Sequence, residues 1–322
     1  MHVLITGANG FVGRALARRL AEAGRLDGRS IDRLTLVDLA LEGLPEADAV
    51  HAEAGDLADA PWLRRVVAER PVDVIYHLAS IPGGTAQQQY ALARQVNLEA
   101  TTTLLESGKA QVEAGQRAPV FVFASSIAVF GTMPPKVDDE TPPRPVMAYG
   151  AQKLIGEVLV ADFSRRGWID GRSLRLPGVL ARPPARTGQL SAFMSDIIRE
   201  LAAGRPFVCP TAPGATTWAS SLPCIVDQLL HAATVAGDRW PQGRALTLPT
   251  QRFSMAELVD AIAQVHGSHA RDLVRYEPDE RIEALFGRFP PLDTAAADAL
   301  GFRGDADLPS LVRQALAPGR TS

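Results

Sequence analysis

Residues 3–13 read VLITGANGFVG. An apolar run enters Gly7, Gly10 and Gly13 follow at even spacing, and a helical pattern begins at the last of them. Glycines at these points let the chain turn tightly, let backbone approach a phosphate, and let the helix pack close on the strand. The first helical turn then offers N–H groups and the positive end of the helix dipole. Asn9, Phe11 and Val12 complete the loop. A chain that opens this way is expected to begin a parallel βαβ unit, with Gly7, Asn9, Gly10, Phe11, Val12 and Gly13 around the pyrophosphate of a dinucleotide.

The same beat continues. Extended runs end near Thr6, Asp38, Leu78 and Ala124, with helical patterns over 13–23 and 61–70 between them. This alternation predicts an α/β fold with a doubly wound parallel sheet, the Rossmann arrangement, over residues 1–176. One long helix is expected over 85–115 and another over 147–166. Between them, the proline-rich stretch 131–146 cannot be a central strand or a helix interior. Past Pro177 the beat is lost. Short helices near 191–203, 225–236 and 254–265 predict a smaller, mixed α/β substrate-binding domain over 177–322, with residues 224–250 returning to the first. The tail from Pro318 is expected to fray.

Composition matters for what it excludes. Hydrophobic residues make up 46% and charged residues 21% of the 322, so the chain has the balance of a folded protein. Its 33 basic and 36 acidic residues leave a net charge of −3 and form no basic block, so no nucleic-acid partner is expected. No apolar run is long enough for a membrane span, and no basic region precedes an apolar stretch at the N-terminus. Cys209 and Cys224 build no disulfide framework and match no metal-site spacing with the histidines, so no metal is expected. The expected location is cytoplasmic.

Several residues carry chemistry. Asp38 ends the second strand where an acid meets the adenosine ribose hydroxyls, although a solvated turn aspartate reads the same way. Asp56 and Leu57 follow the third strand, with Asp56 placed to accept from an adenine amino group. Leu78, Ala79 and Ser80 end the fourth, where the chain passes under a dinucleotide; His77 before them reads as a satisfied histidine beside it. Tyr149 and Lys153 are one turn apart at the start of a helix and share a face. An ammonium beside a phenol favours the phenolate, which can take a proton from an alcohol. Ser125 and Ser126 end the strand before them, where one hydroxyl can hold a substrate oxygen and the other caps a loop.

These segments (TGANGFVG at 6–13, Asp38, GDL at 55–57, HLAS at 77–80, Asn97, ASSIAVFG at 124–131, YGAQK at 149–153) resemble the extended short-chain dehydrogenase/reductase family, which includes NAD-dependent sugar epimerases and dehydratases. The resemblance covers essentially the whole chain. It implies NAD as cofactor, contacted also by Asn97, Ser125, Tyr149, Lys153, Pro177 and Val179. It selects Ser126 as the catalytic serine, from its place before Phe130-Gly131. It gives Asn97 a part in organising the site and its proton relay, where the residues alone equally read as a polar group at a helix kink. It also implies a homodimer formed through the two long helices.

Three departures narrow the resemblance. Ser126-Ile127-Ala128 lacks the acids of the dehydratase branch. Gly178 replaces the asparagine that meets a nucleotide-sugar diphosphate. Residues 216–221, TTWASS, lack the arginine that holds it. The combination looks like the D-erythronate dehydrogenase branch. It implies NAD-dependent oxidation of the 2-hydroxyl of a small sugar acid, with Ser80, Ser126, Tyr149, Gly178, Thr217 and Trp218 contacting substrate and Arg144 or Arg182 meeting a carboxylate. The alternatives are a sugar or nucleotide-sugar epimerase and a non-catalytic dinucleotide sensor.

Overall fold

Six runs within residues 1–176 and one later run form a single sheet. They are β1 (His2–Thr6), β2 (Arg33–Asp38), β3 (Val50–Ala54), β4 (Val74–His77), β5 (Val120–Ser126), β6 (Asp170–Leu176) and β7 (Ala245–Thr247). The computed structural model describes residues 1–183 and 190–316, so Gly188, Gln189 and the tail from Pro318 lie outside the described residues. The strand order is β7-β6-β5-β4-β1-β2-β3, and every neighbouring pair is parallel. The order reverses between β1 and β4, the topological switch point at which α/β sheets bind ligands beyond their carboxyl ends. Central strands are apolar on both faces because helices cover both: β1 and β4 are buried throughout.

Four helices matter for the site: α1 (Phe11–Ala23), α2 (Ala60–Ala68), α3 (Ala100–Glu113) and α4 (Ala148–Arg165). Leu63, Val66 and Val67 of α2 and Leu104 and Leu105 of α3 share one core with Ile75, Phe121 and Phe123 of the sheet. The single helix expected over 85–115 is not what forms. Short helices Gly83–Gln88 and Tyr90–Arg94 are separated at Gln89, whose φ of −116° and ψ of 59° leave the helical region. A π-helical turn, Gln95–Glu99, then leads into α3. Apolar spacing carries across such breaks, which is why it does not register them.

The described chain divides into two compact units. The first comprises residues 1–132, 142–176 and 226–247, and contains the sheet. The second comprises 133–141, 177–225 and 248–322. In the second, strand Thr216–Ser221 pairs in parallel with Gly178–Leu180 and antiparallel with Gln251–Ser254. Helices Phe193–Ala202 and Met255–His266 bury Ile197, Ile198, Leu258 and Ile262 in its core. Ser254 and Glu257 form a capping box at the start of the latter helix. Residues 133–141 come from the proline-rich loop. Val137 escapes proline substitution and keeps both backbone groups: its N–H donates to the Pro291 carbonyl at 3.0 Å, and its carbonyl accepts from the Asp293 N–H at 2.9 Å.

Candidate active site

The glycine loop is built as a close approach. Gly7 holds φ at +72°, and a Cβ there would lie 2.6 Å from the Ala79 nitrogen. A Cβ on Gly13 would lie 2.0 Å from the Gly7 carbonyl oxygen. Any side chain at either position would push the loop away from the end of β4. Helix α1 follows Gly10, an N-cap that carries no side chain of its own. The Asp38 carboxylate accepts from the Asn9 N–H at 2.8 Å and the Leu39 N–H at 2.7 Å, one on each oxygen. Each oxygen keeps a lone pair for a hydroxyl. The Asn9 amide oxygen accepts from the Arg14 guanidinium. These features together fit a dinucleotide. Asp56 is exposed and accepts from the Ala58 N–H at 2.9 Å, a local turn bond, while Leu57 beside it is buried. Leu78, Ala79 and Ser80 are half-buried.

Ser125 and Ser126 point to different faces, as successive strand residues must. The Ser125 hydroxyl is buried and donates to Glu157 at 2.5 Å, so it is turned into the α4 side of the sheet. Ser126 is half-buried and caps a short turn, Ile127–Phe130, by accepting the Ala128 N–H at 3.1 Å. The turn meets the start of α4: a Cβ on Gly150 would lie 2.3 Å from the Ala128 carbonyl oxygen. That contact brings the first turn of α4, with Tyr149, against the segment that follows Ser126.

Lys153 is fully enclosed. Its ammonium lies 4.8 Å over the Phe123 ring and 5.6 Å from the Tyr149 ring centroid. Aromatic faces attract such a cation. Burial pushes the ammonium down to about 7, against the opposing pull of Glu157. Glu157 is one turn further along α4 and is gripped by the Arg175 guanidinium of β6, with Nε at 3.0 Å and Nη2 at 2.8 Å. Sequence reasoning missed both residues. The spacing 149, 153, 157 on one helix face was the available signal, and Arg175 carried none.

Asn97 stands on the π-helical turn and spends its whole amide within the protein. Its Oδ1 accepts from the Ile81 N–H at 2.7 Å, and its Nδ2 donates to the Ile81 carbonyl at 3.1 Å and to Gln152 Oε1 at 2.7 Å. Gln152 Nε2 is buried without a partner among the described residues. Thr101 donates to the Asn97 carbonyl at 2.8 Å and therefore accepts from His77 Nε2 at 2.8 Å. That assigns the His77 proton to Nε2 and leaves Nδ1 to accept from Thr6 at 2.7 Å. Burial, with Lys153 nearby, pushes the imidazole down to about 3, so it is neutral and satisfied.

The candidates in the second unit fare differently. Trp218 is buried: its side chain is 0% exposed, its indole N–H donates to the Pro290 carbonyl at 2.8 Å, and its ring meets Phe289 edge-on. Thr217 is likewise buried, with its hydroxyl on the Met194 sulfur at 3.4 Å. Gly178 is half-buried between Pro177 and Val179, which are buried, and pairs with Ala219. Arg144, which belongs to the first unit, is exposed, and the Arg182 N–H donates to the Ser195 hydroxyl at 3.0 Å.

Residues 3–216 match the NAD dependent epimerase/dehydratase family. A protein of Cupriavidus necator named D-erythronate dehydrogenase is 39% identical over 320 residues, 97% of each chain. One of the same name from Haemophilus influenzae is 31% identical over 317 residues, 98% of each. Among solved structures, a nucleoside-diphosphate-sugar epimerase of Agrobacterium tumefaciens superposes with a TM-score of 0.91 at 34% identity, covering 97% of this chain and 92% of that one.

Proposed function

The chain belongs to the NAD dependent epimerase/dehydratase family, and from that premise we propose that it oxidises the 2-hydroxyl of a small sugar acid, D-erythronate or a close analogue, to the 2-oxo acid with NAD. The observation that carries this reading is the near full-length similarity to two dehydrogenases of that name. The chain is an NAD-dependent oxidoreductase.

Gly7, Asn9, Gly10, Phe11, Val12 and Gly13 hold the cofactor pyrophosphate, and Asp38 takes the adenosine ribose hydroxyls. Asp56, Leu57, Leu78 and Ala79 line the remainder. When bound, NAD supplies the acceptor for the hydride that leaves C2 of the substrate. The Tyr149 phenolate takes the proton of the C2 hydroxyl. The Lys153 ammonium, 5.6 Å from that ring, lowers the tyrosine pKa by its charge and holds the nicotinamide ribose. Ser126 retains its hydroxyl proton for the substrate oxygen, and Ser80 completes the substrate contacts. Asn97 acts by position, tying the Ile81 backbone to α4 through Gln152.

The protein further acts as a homodimer through α3 and α4. Ile155 and Val158, 45% and 62% exposed, give α4 an apolar outer face that supports this.

A screen of sugar acids with NADH absorbance as readout tests the reading. NADH should form with D-erythronate or a close 2-hydroxy acid, and none with UDP-glucose or UDP-galactose. Interconversion of a UDP-sugar without net NADH would make the chain an epimerase.

A further inference from the structure

We propose that Glu157 is a positioning residue for the reaction: clamped by Arg175 and Ser125, it holds the negative charge that keeps Lys153 an ammonium and so keeps Tyr149 ionisable near neutral pH. The proposal rests on the reading of Tyr149 as the base.

Three elements converge on this carboxylate. Glu157 is 3% exposed on α4. Arg175, from β6, reaches it in the fork geometry that binds a carboxylate through two parallel N–H bonds, at 3.0 and 2.8 Å. Ser125, from the end of β5, donates to the same Oε1 that Arg175 Nε contacts, at 2.5 Å. A carboxylate with three donors is fixed in place. Its helix carries Lys153 one turn earlier and Tyr149 one turn before that, so the three groups form a single row on one face.

The row has a physical need. An ammonium enclosed as Lys153 is must either lose its proton or find a compensating charge. The titratable and charged groups that face Lys153 are Tyr149 and Glu157 on its own helix, His77 on β4 and, behind Glu157, Arg175 on β6. His77 is neutral. The Phe123 ring on β5 offers its face but no charge. Glu157 is therefore the anion that the site provides when the phenol is protonated. Arg175 fixes that carboxylate in place through its two N–H bonds. The Ser125 contact ties the clamp to the strand whose next residue is Ser126, so the charge device and the substrate-orienting serine share one anchor.

The test uses the full-length enzyme and two substitutions of opposite expectation. Glu157→Gln keeps the shape and removes the charge; Arg175→Met removes the cation and leaves the carboxylate. Ultraviolet difference titration of each against the same protein carrying Tyr149→Phe isolates the ionisation of this phenol without turnover. The kcat/KM–pH profile with NAD is measured beside it.

In Glu157→Gln the phenol midpoint and the acid limb of the profile should both rise by about one pH unit. In Arg175→Met neither should rise. A general loosening of the site would move both variants the same way, and that result overturns the proposal, as does an unmoved midpoint in Glu157→Gln. A risen midpoint in Arg175→Met overturns it on its own, so the test stands if Glu157→Gln does not fold. If the midpoint moves but the rate profile does not follow, the clamp stands and the reading of Tyr149 as the base falls.

Discussion

Tyr149, Lys153 and Asp38 can each be tested by a single substitution. Tyr149→Phe keeps the ring that faces Lys153 and removes the proton acceptor. Turnover should fall by at least about a hundredfold, the scale of general-base catalysis, with NAD binding measured by calorimetry little changed. At Asp38 both carboxylate oxygens already hold backbone N–H groups, so the acid cannot swing away from a ligand. A 2′-phosphate would meet its charge, and Leu39 beside it offers no cation. The enzyme should prefer NAD to NADP in kcat/KM, and Asp38→Ala should narrow the gap. Lys153 carries a pH signature. Its folded value of about 7 lies below its ordinary 10.5. Between those values the unfolded chain holds a proton that the folded chain has released, so this group's contribution to stability rises with pH across the window. Urea unfolding of the cofactor-free protein at pH 7 and at pH 9 should show the wild type gaining on Lys153→Met by about 2 kcal/mol.

At the scale of elements, α4 depends on how closely it lies against the sheet. A Cβ on Gly156 would stand 2.5 Å from the Phe123 ring, the ring that carries the Lys153 ammonium. Gly156→Ala gains helix propensity of about 1 kcal/mol but forces the helix or ring to shift, at about 1–3 kcal/mol. The shift wins, because Phe123 is 1% exposed within a filled core. The variant should lose about 1 kcal/mol in denaturation, and kcat should fall with it as Lys153 is displaced. The π-helical turn at 95–99 is the second such device. It turns Asn97 onto Ile81 and Gln152, and its extra residue is of the kind found at functional sites.

For the molecule as a whole, the proposed dimer rests on the apolar outer face of α4. Ile155→Arg with Val158→Arg places two charges where a helix pair would bury them. Light scattering should report a dimer for the wild type and a monomer for the double variant; a monomeric wild type would remove the proposal. Both positions are exposed, so the substitutions should leave the fold of the first unit intact. Among the described residues, no helix is long and apolar enough to cross a membrane.

The glycine loop, the strand ends and the Tyr149–Lys153 pair were legible in the sequence because their signals are local: a few residues of fixed spacing dictate a turn, a strand end or a shared helix face. The burial of Trp218 was not legible for the same reason. Its neighbours in sequence say nothing of Pro290 and Phe289, which arrive from elsewhere and bury it. The break at Gln89 was invisible because apolar spacing survives a change of helix type. The partition of the serine pair, with Ser125 given to Glu157 and Ser126 left to the turn, waited on which face of β5 met α4. Arg175 illustrates the limit. It stands in an ordinary strand sequence, and only the adjacency of β5 and β6 in the folded sheet brings it to Glu157. Local chemistry therefore determined what this chain can hold and which residues can act. Packing between distant segments decided which charges meet, because burial and pairing depend on neighbours that the chain brings together only when it folds.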